Sequence, residues 1–454
     1  MSKYAKGFST GVLSAMERVE TAIRQDIARV LGGKGAIVVQ APAGAGKSQL
    51  IARLVGELRQ KKAVVAVACP TNEQAYSLVE RIATLNPRLP VCFTPATGRE
   101  LPAHIARLPT VAQLKARDAQ AAALVVATMN KFADSVERYG TRYDALLIDE
   151  AYQADSARYF AVAGMADTHL LVGDSGQLDP FTTLDDGTYW KGGPEDPLQT
   201  AVGVLVRNHP STPQHQLPVT FRLDTRAVPL ARCFYPTHQF EAAVLPGTRQ
   251  AVVGTAGGGK RDVVLDEAVR QAFASGWAFL VQKSAPLIAA DPTTVDRIVR
   301  LVRRIDALEV KLSCEQSSEP RPLAREDIAV VVSHNDQKDA LRAAFEQHSI
   351  TGVTIETANK VQGLTFQCVI AWHPLSGSMH ADAFHLDPGR LCVMLSRHRH
   401  ACIVVGNTCD RLLLDGIPPA TPGYLGYQQS DAVLDGWKAH EQVLDQLGMH
   451  AVRI

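Results

Sequence analysis

The sequence predicts an α/β fold made of two mainly parallel sheets, each flanked by its own helices. Three observations carry this. Short apolar runs alternate with stretches of helical periodicity along nearly the whole chain, the pattern of stacked βαβ units. The run Ala36-Ile37-Val38-Val39 leads into Ala41-Pro42-Ala43-Gly44-Ala45-Gly46-Lys47-Ser48, so a buried strand, a glycine-rich turn and a helix start follow one another. Between Leu205 and Leu217, Asn208, Pro210, Ser211 and Pro213 break the periodicity, dividing the 454 residues into two halves of domain size.

In order, the strands predicted in the first half are Ala36–Gln40, Ala63–Ala68, Leu124–Ala127, Ala145–Ile148 and His169–Val172. A second set comprises Val252–Val253, Trp277–Val281, Ile328–Val332, Thr354–Glu356, Cys368–Trp372 and Ala401–Val405. The organisation expected is an N-terminal helical segment over 1–21, a first domain over 22–205 and a second over 206–425. The second holds a small insertion around 236–326, and a packing helix occupies 426–454. The roughly 40 residues between Ile82 and Leu124 are too few for a further domain with its own core. A helix is expected from Pro292 to about Leu308, with Val295, Ile298, Val302 and Ile305 on one face. Arg297, Arg300 and Arg304 lie on another face, read as solvated, with phosphate tracking as the alternative. Glu315–Pro322 reads as an exposed loop, and Ser430 as the N-cap of a helix reaching Leu447.

Composition sets limits. Apolar residues make up 46% and charged residues 20%, an ordinary globular balance. A net charge of +1 gives no bulk attraction for polyanions, so such binding needs a local groove. The eight cysteines form no Cys-x-x-Cys pair, which points to reduced thiols. Met1–Glu20 contains no apolar signal core and no run of 18 apolar residues occurs, so a cytoplasmic protein without a membrane span is expected.

The chemistry is concentrated in the first half. In the strand–turn–helix context of a phosphate-binding loop, Gly44 and Gly46 let backbone N–H groups between Ala43 and Ser48 approach phosphate oxygens. Lys47 brings positive charge to the β and γ oxygens, and the Ser48 hydroxyl can ligate Mg²⁺. Ala41 stands where the pattern has glycine, a tolerable change if its backbone angles are ordinary. Roughly 100 residues later, Leu146-Leu147-Ile148 ends in Asp149 and Glu150. Asp149 can hold Mg²⁺, and Glu150 can orient and deprotonate an attacking water. Gln177, after the strand ending at Val172, can bond a γ-phosphate or that water. Residues 254–260 have a similar glycine spacing, but Arg261 replaces the metal-binding hydroxyl. Asn130-Lys131-Phe132-Ala133-Asp134 places its carboxylate one residue late for guanine reading.

In order, these elements resemble the superfamily 1 helicases, in particular their B-type, Upf-like branch, from about Gln25 to Asn407. Gln25, 16 positions before Ala41, resembles the family's adenine-reading glutamine. Pro70-Thr71-Asn72 and Thr128 resemble its nucleic-acid contacts. Asp149-Glu150-Ala151-Tyr152-Gln153 matches Asp-Glu-Ala-x-Gln, and Gly173-Asp174-x-x-Gln177-Leu178-x-Pro180 the motif after it. Phe221-Arg222, Thr357 with Gln362-Gly363, and Ser396-Arg397 continue the series, Ser396 and His398 replacing the usual Thr and Ala. The resemblance implies two RecA-like domains, ATP and Mg²⁺ as cofactors, and 5′→3′ movement. Arg222 and Arg397 would be fingers on the γ-phosphate, Gln362 and Gly363 part of the nucleotide site. Thr71, Asn72, Thr128 and Thr357 would touch the backbone of a single strand, DNA being favoured over RNA because no RNA-binding module is recognisable. A monomer is expected, with a protein partner as a source of specificity. The alternative is an ATP-gated single-strand clamp that does not unwind duplex.

Overall fold

The computed structural model describes residues 7–96, 98–178, 180, 199–283, 288–416 and 432–454. Asp179 and Ser430 therefore lie outside the described residues. The chain divides into two compact units, Ser14–Ser175 with Asp179–Pro218, and Met1–Leu13 with Gly176–Leu178 and Val219–Ile454. Each is an α/β unit with a parallel sheet, the tandem RecA-like arrangement.

The first unit contains, in chain order, α1 (Thr10–Val30, from Ser14 onward), β1 (Gly35–Gln40), α2 (Lys47–Gln60), β2 (Val65–Cys69), α3 (Asn72–Leu85), β3 (Val91–Thr94), α4 (Ala103–Ala106), β4 (Val111–Gln113), α5 (Ala116–Ala119), β5 (Leu124–Thr128), α6 (Met129–Tyr139), β6 (Tyr143–Ile148), α7 (Ser156–Ala163), β7 (Ala166–Gly173), α8 (Ala201–Asn208) and β8 (Gln214–Gln216). The sheet order is β4-β3-β5-β2-β6-β7-β1-β8, and every pairing is parallel. Both faces are covered, so β2 and β5 are buried at every residue, as their unbroken apolar sequences require. Parallel pairing brings the carboxyl ends of all these strands to one edge. Ligands of open α/β sheets bind there.

The second unit's main sheet has the order β16-β15-β17-β18-β12-β19, again parallel throughout, from β12 (Trp277–Gln282), β15 (Ile328–Val332), β16 (Thr354–Thr357), β17 (Phe366–Trp372), β18 (His398–Asn407) and β19 (Ala451–Arg453). The short strands β9 (Val219–Thr220) and β10 (Glu241–Ala242) pair in parallel, and a separate antiparallel sheet joins β11 (Gln250–Val252), β13 (Lys311–Cys314) and β14 (Ser317–Pro322).

Two expectations for this insertion need correction. The segment read as a loop over Glu315–Pro322 is a turn followed by β14, exposed at all six residues but paired along β13. The arginines of the helix Pro292–Ala307 do not form a solvated face. Arg304 bonds Asp266 at 2.6 and 2.7 Å and the Gly257 carbonyl at 2.9 Å, Arg300 pairs with Asp262 at 2.9 Å, and Arg297 is partly buried. Arg300 and Arg304 thus tie that helix to Lys260–Ser275 through Asp262 and Asp266. Residues 264–267 belong to that same helix. Among the described residues the eight cysteines form no disulfide.

The second unit also buries four histidines, His373, His398, His400 and His440. Burial lowers His398 and His440 to about 3 and His400 to about 4, and drives His373 well below its ordinary range. A histidine with a depressed folded pKa contributes stability above its unfolded value and loses it as the pH falls towards the folded value. Asp410, pushed up to about 7 by burial, opposes one of the four. The remainder corresponds to a loss of up to about 4 kcal/mol per pH unit below about pH 6. Urea midpoints of this unit's transition should therefore fall steeply from pH 6.5 to pH 5. A flat profile contradicts neutral burial of these rings.

Candidate functional site

The glycine-rich turn follows β1 directly and ends where α2 begins at Lys47. Gly44 and Gly46 have φ of 77° and 85°, left-handed angles that side chains rarely adopt, and they turn the backbone N–H groups into one concavity at the helix N-terminus. Ala41 is not among the residues of positive φ, so its ordinary angles accommodate the methyl group. Its N–H donates to the Gly173 carbonyl at 2.8 Å, tying the loop's start to the end of β7. Lys47 extends across the same edge, its Nζ lying 3.3 Å from Glu150 Oε1 and 3.6 Å from Asp174 Oδ2. Ser48 follows on the first turn of α2.

Asp149 and Glu150 follow β6 at that edge. Glu150 has φ of 52°, a strained angle for a residue with a side chain. Surrounding bonds hold it there. Its N–H donates to Asp149 Oδ1 at 2.9 Å, its carbonyl accepts from Gln153 N at 2.9 Å, and the next residue's N–H reaches Val172 O at 3.0 Å. The strain directs the carboxylate towards Lys47. Burial and the neighbouring Glu150 push Asp149 up to about 7, against the pull of Lys47. Two close carboxylates with one ammonium are thus short of positive charge. Among the described residues no cluster of three or more His, Cys, Asp or Glu could hold a metal alone. The Ser48 hydroxyl and the Asp149 carboxylate are oxygen donors of the kind Mg²⁺ takes beside phosphate and water.

A short hydrogen-bonded chain leads from Glu150 to the second predicted feature. Gln153 Nε2 donates to Glu150 Oε2 at 3.3 Å, and Gln74 Nε2 donates to Gln153 Oε1 at 3.5 Å. Gln74 closes a capping box with Thr71 at the start of α3. Thr71, Asn72 and Thr128 line one pocket at the ends of β2 and β5, while Thr128 caps α6. Gln74 is a residue that the sequence reading missed, since a capping-box signature discloses no second partner.

Within the second unit, Gln177 is the centre of another cluster. Its Oε1 accepts from Arg397 Nη2 at 2.7 Å and from Gln362 Nε2 at 3.1 Å. Arg397 is 1% exposed. At Gly389 an added Cβ would lie 2.6 Å from the Gln177 backbone, so the helix Pro388–Leu395 needs glycine to approach so closely. Arg222 bonds Thr365 Oγ1 at 3.0 Å and Ser396 O at 3.2 Å, which places it beside the residue preceding Arg397. Two further residues, absent from the sequence reading, support this arrangement. Arg249, fully buried, donates to the carbonyls of Phe221 (2.8 Å), Arg222 and Arg399 (3.4 Å). Glu315, its carboxylate 3% exposed, grips Arg249 at 2.9 Å and also pairs with Arg399. Both come from the antiparallel insertion.

The remaining predicted residues are dispersed. Gln25 is exposed on α1, next to Asp26, which bonds His215 at 2.8 Å. Thr357 ends β16, and Gly363, with φ of 84°, is exposed in the following turn.

A parallel α/β sheet whose glycine-rich loop joins β1 to α2, with a strand-end Asp-Glu pair beside it, defines a P-loop nucleotide-binding fold. Residues 22–183 match the family model of an AAA domain, and residues 292–409 match a second model with the same description. Among solved structures, the chain is similar to the helicase of PRRSV, at 14% identity over 87% of this chain and 57% of that one, with a TM-score of 0.44. It is similar to Arterivirus nonstructural protein 10 (helicase), at 14% identity over 90% and 64% of the two chains, with a TM-score of 0.42. The complex of an Arterivirus nonstructural protein 10 with DNA gives 13% identity, 90% and 65% coverage and a TM-score of 0.42. The chain thus spans between 57% and 65% of the length of these proteins. No curated protein matches it. No described helix is long and apolar enough to cross a membrane.

Proposed function

We propose that this chain is an ATP-driven motor on single-stranded nucleic acid, a helicase or translocase of the superfamily 1 B-type that moves 5′→3′. The observation that carries the reading is Lys47, leaving the P-loop and shared by Glu150 and Asp174 at the ends of two neighbouring strands. An ammonium so placed exchanges its carboxylate partners for phosphate oxygens. The backbone N–H groups from Ala43 to Ser48 receive the phosphates, Ser48 and Asp149 hold Mg²⁺, and Gln25 reads adenine. Mg²⁺ held there would supply charge neutralisation to the phosphates. Glu150 takes the proton of the attacking water, and its fixed strained geometry removes the need to search for that position. Arg397 and Arg222 spread the charge that develops on the γ-phosphoryl group, Gln177 senses its state, and Gln362 and Gly363 complete the second unit's contribution.

Thr71, Asn72, Thr128 and Thr357 contact the strand backbone, which positions the strand and conveys little sequence information. DNA is the preferred track, the chain acts as a monomer, and a protein partner supplies specificity. The chain through Gln153 and Gln74 gives strand contact at Thr71 a route to Glu150. Gln74→Leu should accordingly reduce strand-stimulated turnover about tenfold while the basal rate and strand affinity stay near wild type. Equal loss of the basal rate contradicts a coupling role. The reading as a whole is tested by ATP hydrolysis with single-stranded DNA, with single-stranded RNA and with neither, at several salt concentrations. Stimulation by at least one strand, weakening as salt rises, is the expected result. Turnover indifferent to both strands overturns it.

A further inference from the structure

The pocket holding Thr71, Asn72 and Thr128 does not end there. It shares Ala96, Arg99, Lys131, Asp134 and Arg138 with an adjoining groove of about 1010 Å³. Five cations line that groove, Arg99, Lys115, Arg117, Lys131 and Arg138, against the two carboxylates Glu100 and Asp134. The excess of three positive charges stands out in a chain whose net charge is +1. Asp134 is already engaged by Lys131 at 2.9 Å and by Arg138. Arg99, Lys115 and Arg117 are exposed and form no ion pair among the described residues.

Topology explains why these charges gather. β2, β5, β3 and β4 are successive neighbours in the sheet, and all run the same way. Thr71 follows β2, Lys131 follows β5, Arg99 follows β3, and Lys115 and Arg117 follow β4. The groove therefore continues along the ligand-binding edge for three interstrand spacings, about 14 Å, away from β2. Tyr76 and Tyr139 also line it. Tyr76 is fixed by its ring contact with Phe93 (5.4 Å) and its hydroxyl bond to Glu100 O (3.1 Å), whereas Tyr139 is 42% exposed.

We infer that this groove carries the single strand beyond Thr71 and Thr128, with Arg99, Lys115 and Arg117 on its phosphates and Tyr139 against a base. The inference rests on the proposed single-strand function and specifies the strand path across the first unit. Unpaired cations spaced along a channel that continues from the Thr71 pocket, with an exposed ring beside them, suit a polyanion with stacking faces. The two kinds of contact leave different signatures. Charge removal changes the salt dependence of binding, and removal of a stacking ring changes affinity alone.

The test uses the full chain and fluorescein-labelled oligo-dT of 6 and 20 nucleotides, binding being measured at several salt concentrations. For the longer strand, the triple variant Arg99→Ala/Lys115→Ala/Arg117→Ala should lose 10- to 100-fold in affinity at low salt. Its log–log salt slope should become shallower by about 2, at roughly 0.7 per phosphate contact. Binding of the 6-mer should change less, and strand-free ATP hydrolysis should be unaffected. Tyr139→Ala should weaken binding of the longer strand at an unchanged slope. If the wild type binds and the triple variant keeps its affinity and slope, the groove is not the track while the proposed function stands. If the wild type itself fails to bind strands of either length, the function falls and the groove with it.

Discussion

Replacing Lys47 by alanine should reduce ATP turnover by a factor of about 10²–10³, and Glu150→Gln should leave ATP bound and almost uncleaved. Lys47 is the ammonium within reach of both strand-end carboxylates, at 3.3 and 3.6 Å. Its removal takes charge stabilisation from the phosphates in a partly enclosed site, where a single preorganised donor contributes 10²–10³ in rate. Glu150→Gln preserves shape and the capacity to bond Gln153 but removes the base, a loss of about 10²–10⁴. The two variants should separate in a nucleotide-binding measurement. The lysine variant weakens binding, and the glutamine variant retains it. Near-wild-type turnover by either variant, in protein shown to be folded, contradicts the site.

The second large effect concerns Arg397. Arg397→Ala should lower kcat by about 10³ or more, the scale on which finger arginines contribute, with a smaller change in KM. Arg222→Ala should act in the same direction. Arg249→Ala should reproduce part of the Arg222 defect without touching nucleotide, because Arg249 holds the carbonyls of Phe221, Arg222 and Arg399. A distinctive accompaniment is expected: Glu315→Gln should give the same kcat-specific loss, since Glu315 orients Arg249. Normal hydrolysis by both Arg222→Ala and Arg397→Ala with nucleic acid saturating would remove the second unit from the chemistry.

How far the sequence disclosed this arrangement depended on whether the signal was local. The P-loop was legible because its requirements are local: an apolar strand, two glycines at left-handed angles and a helix start. Long buried strands such as β15 and β18 were legible for the same reason. Strands β3, β4 and β8, of three or four residues each, were not identified, although the equally short β16 was. The charges of the insertion were misread through a lack of distance information. Arg304 meets an aspartate 38 positions away, and Arg249 meets a glutamate 66 positions away, in a segment whose other residues are exposed. The strain at Glu150 left no mark either, as a carboxylate after a strand looks the same with either sign of φ. Gln177 was identified by its spacing, but its bonds to Arg397 and Gln362 depend on the packing of Gly389 and had no sequence signal of their own.

The most direct measurement is streptavidin displacement from single strands biotinylated at one end or the other, with and without ATP. A 5′→3′ motor running on ATP should clear the 3′ end, much faster than the 5′ end, and Glu150→Gln should clear neither. Clearance of only the 5′ end contradicts the direction. Clearance of neither end by the wild type, on strands it binds, contradicts movement and leaves a stationary clamp.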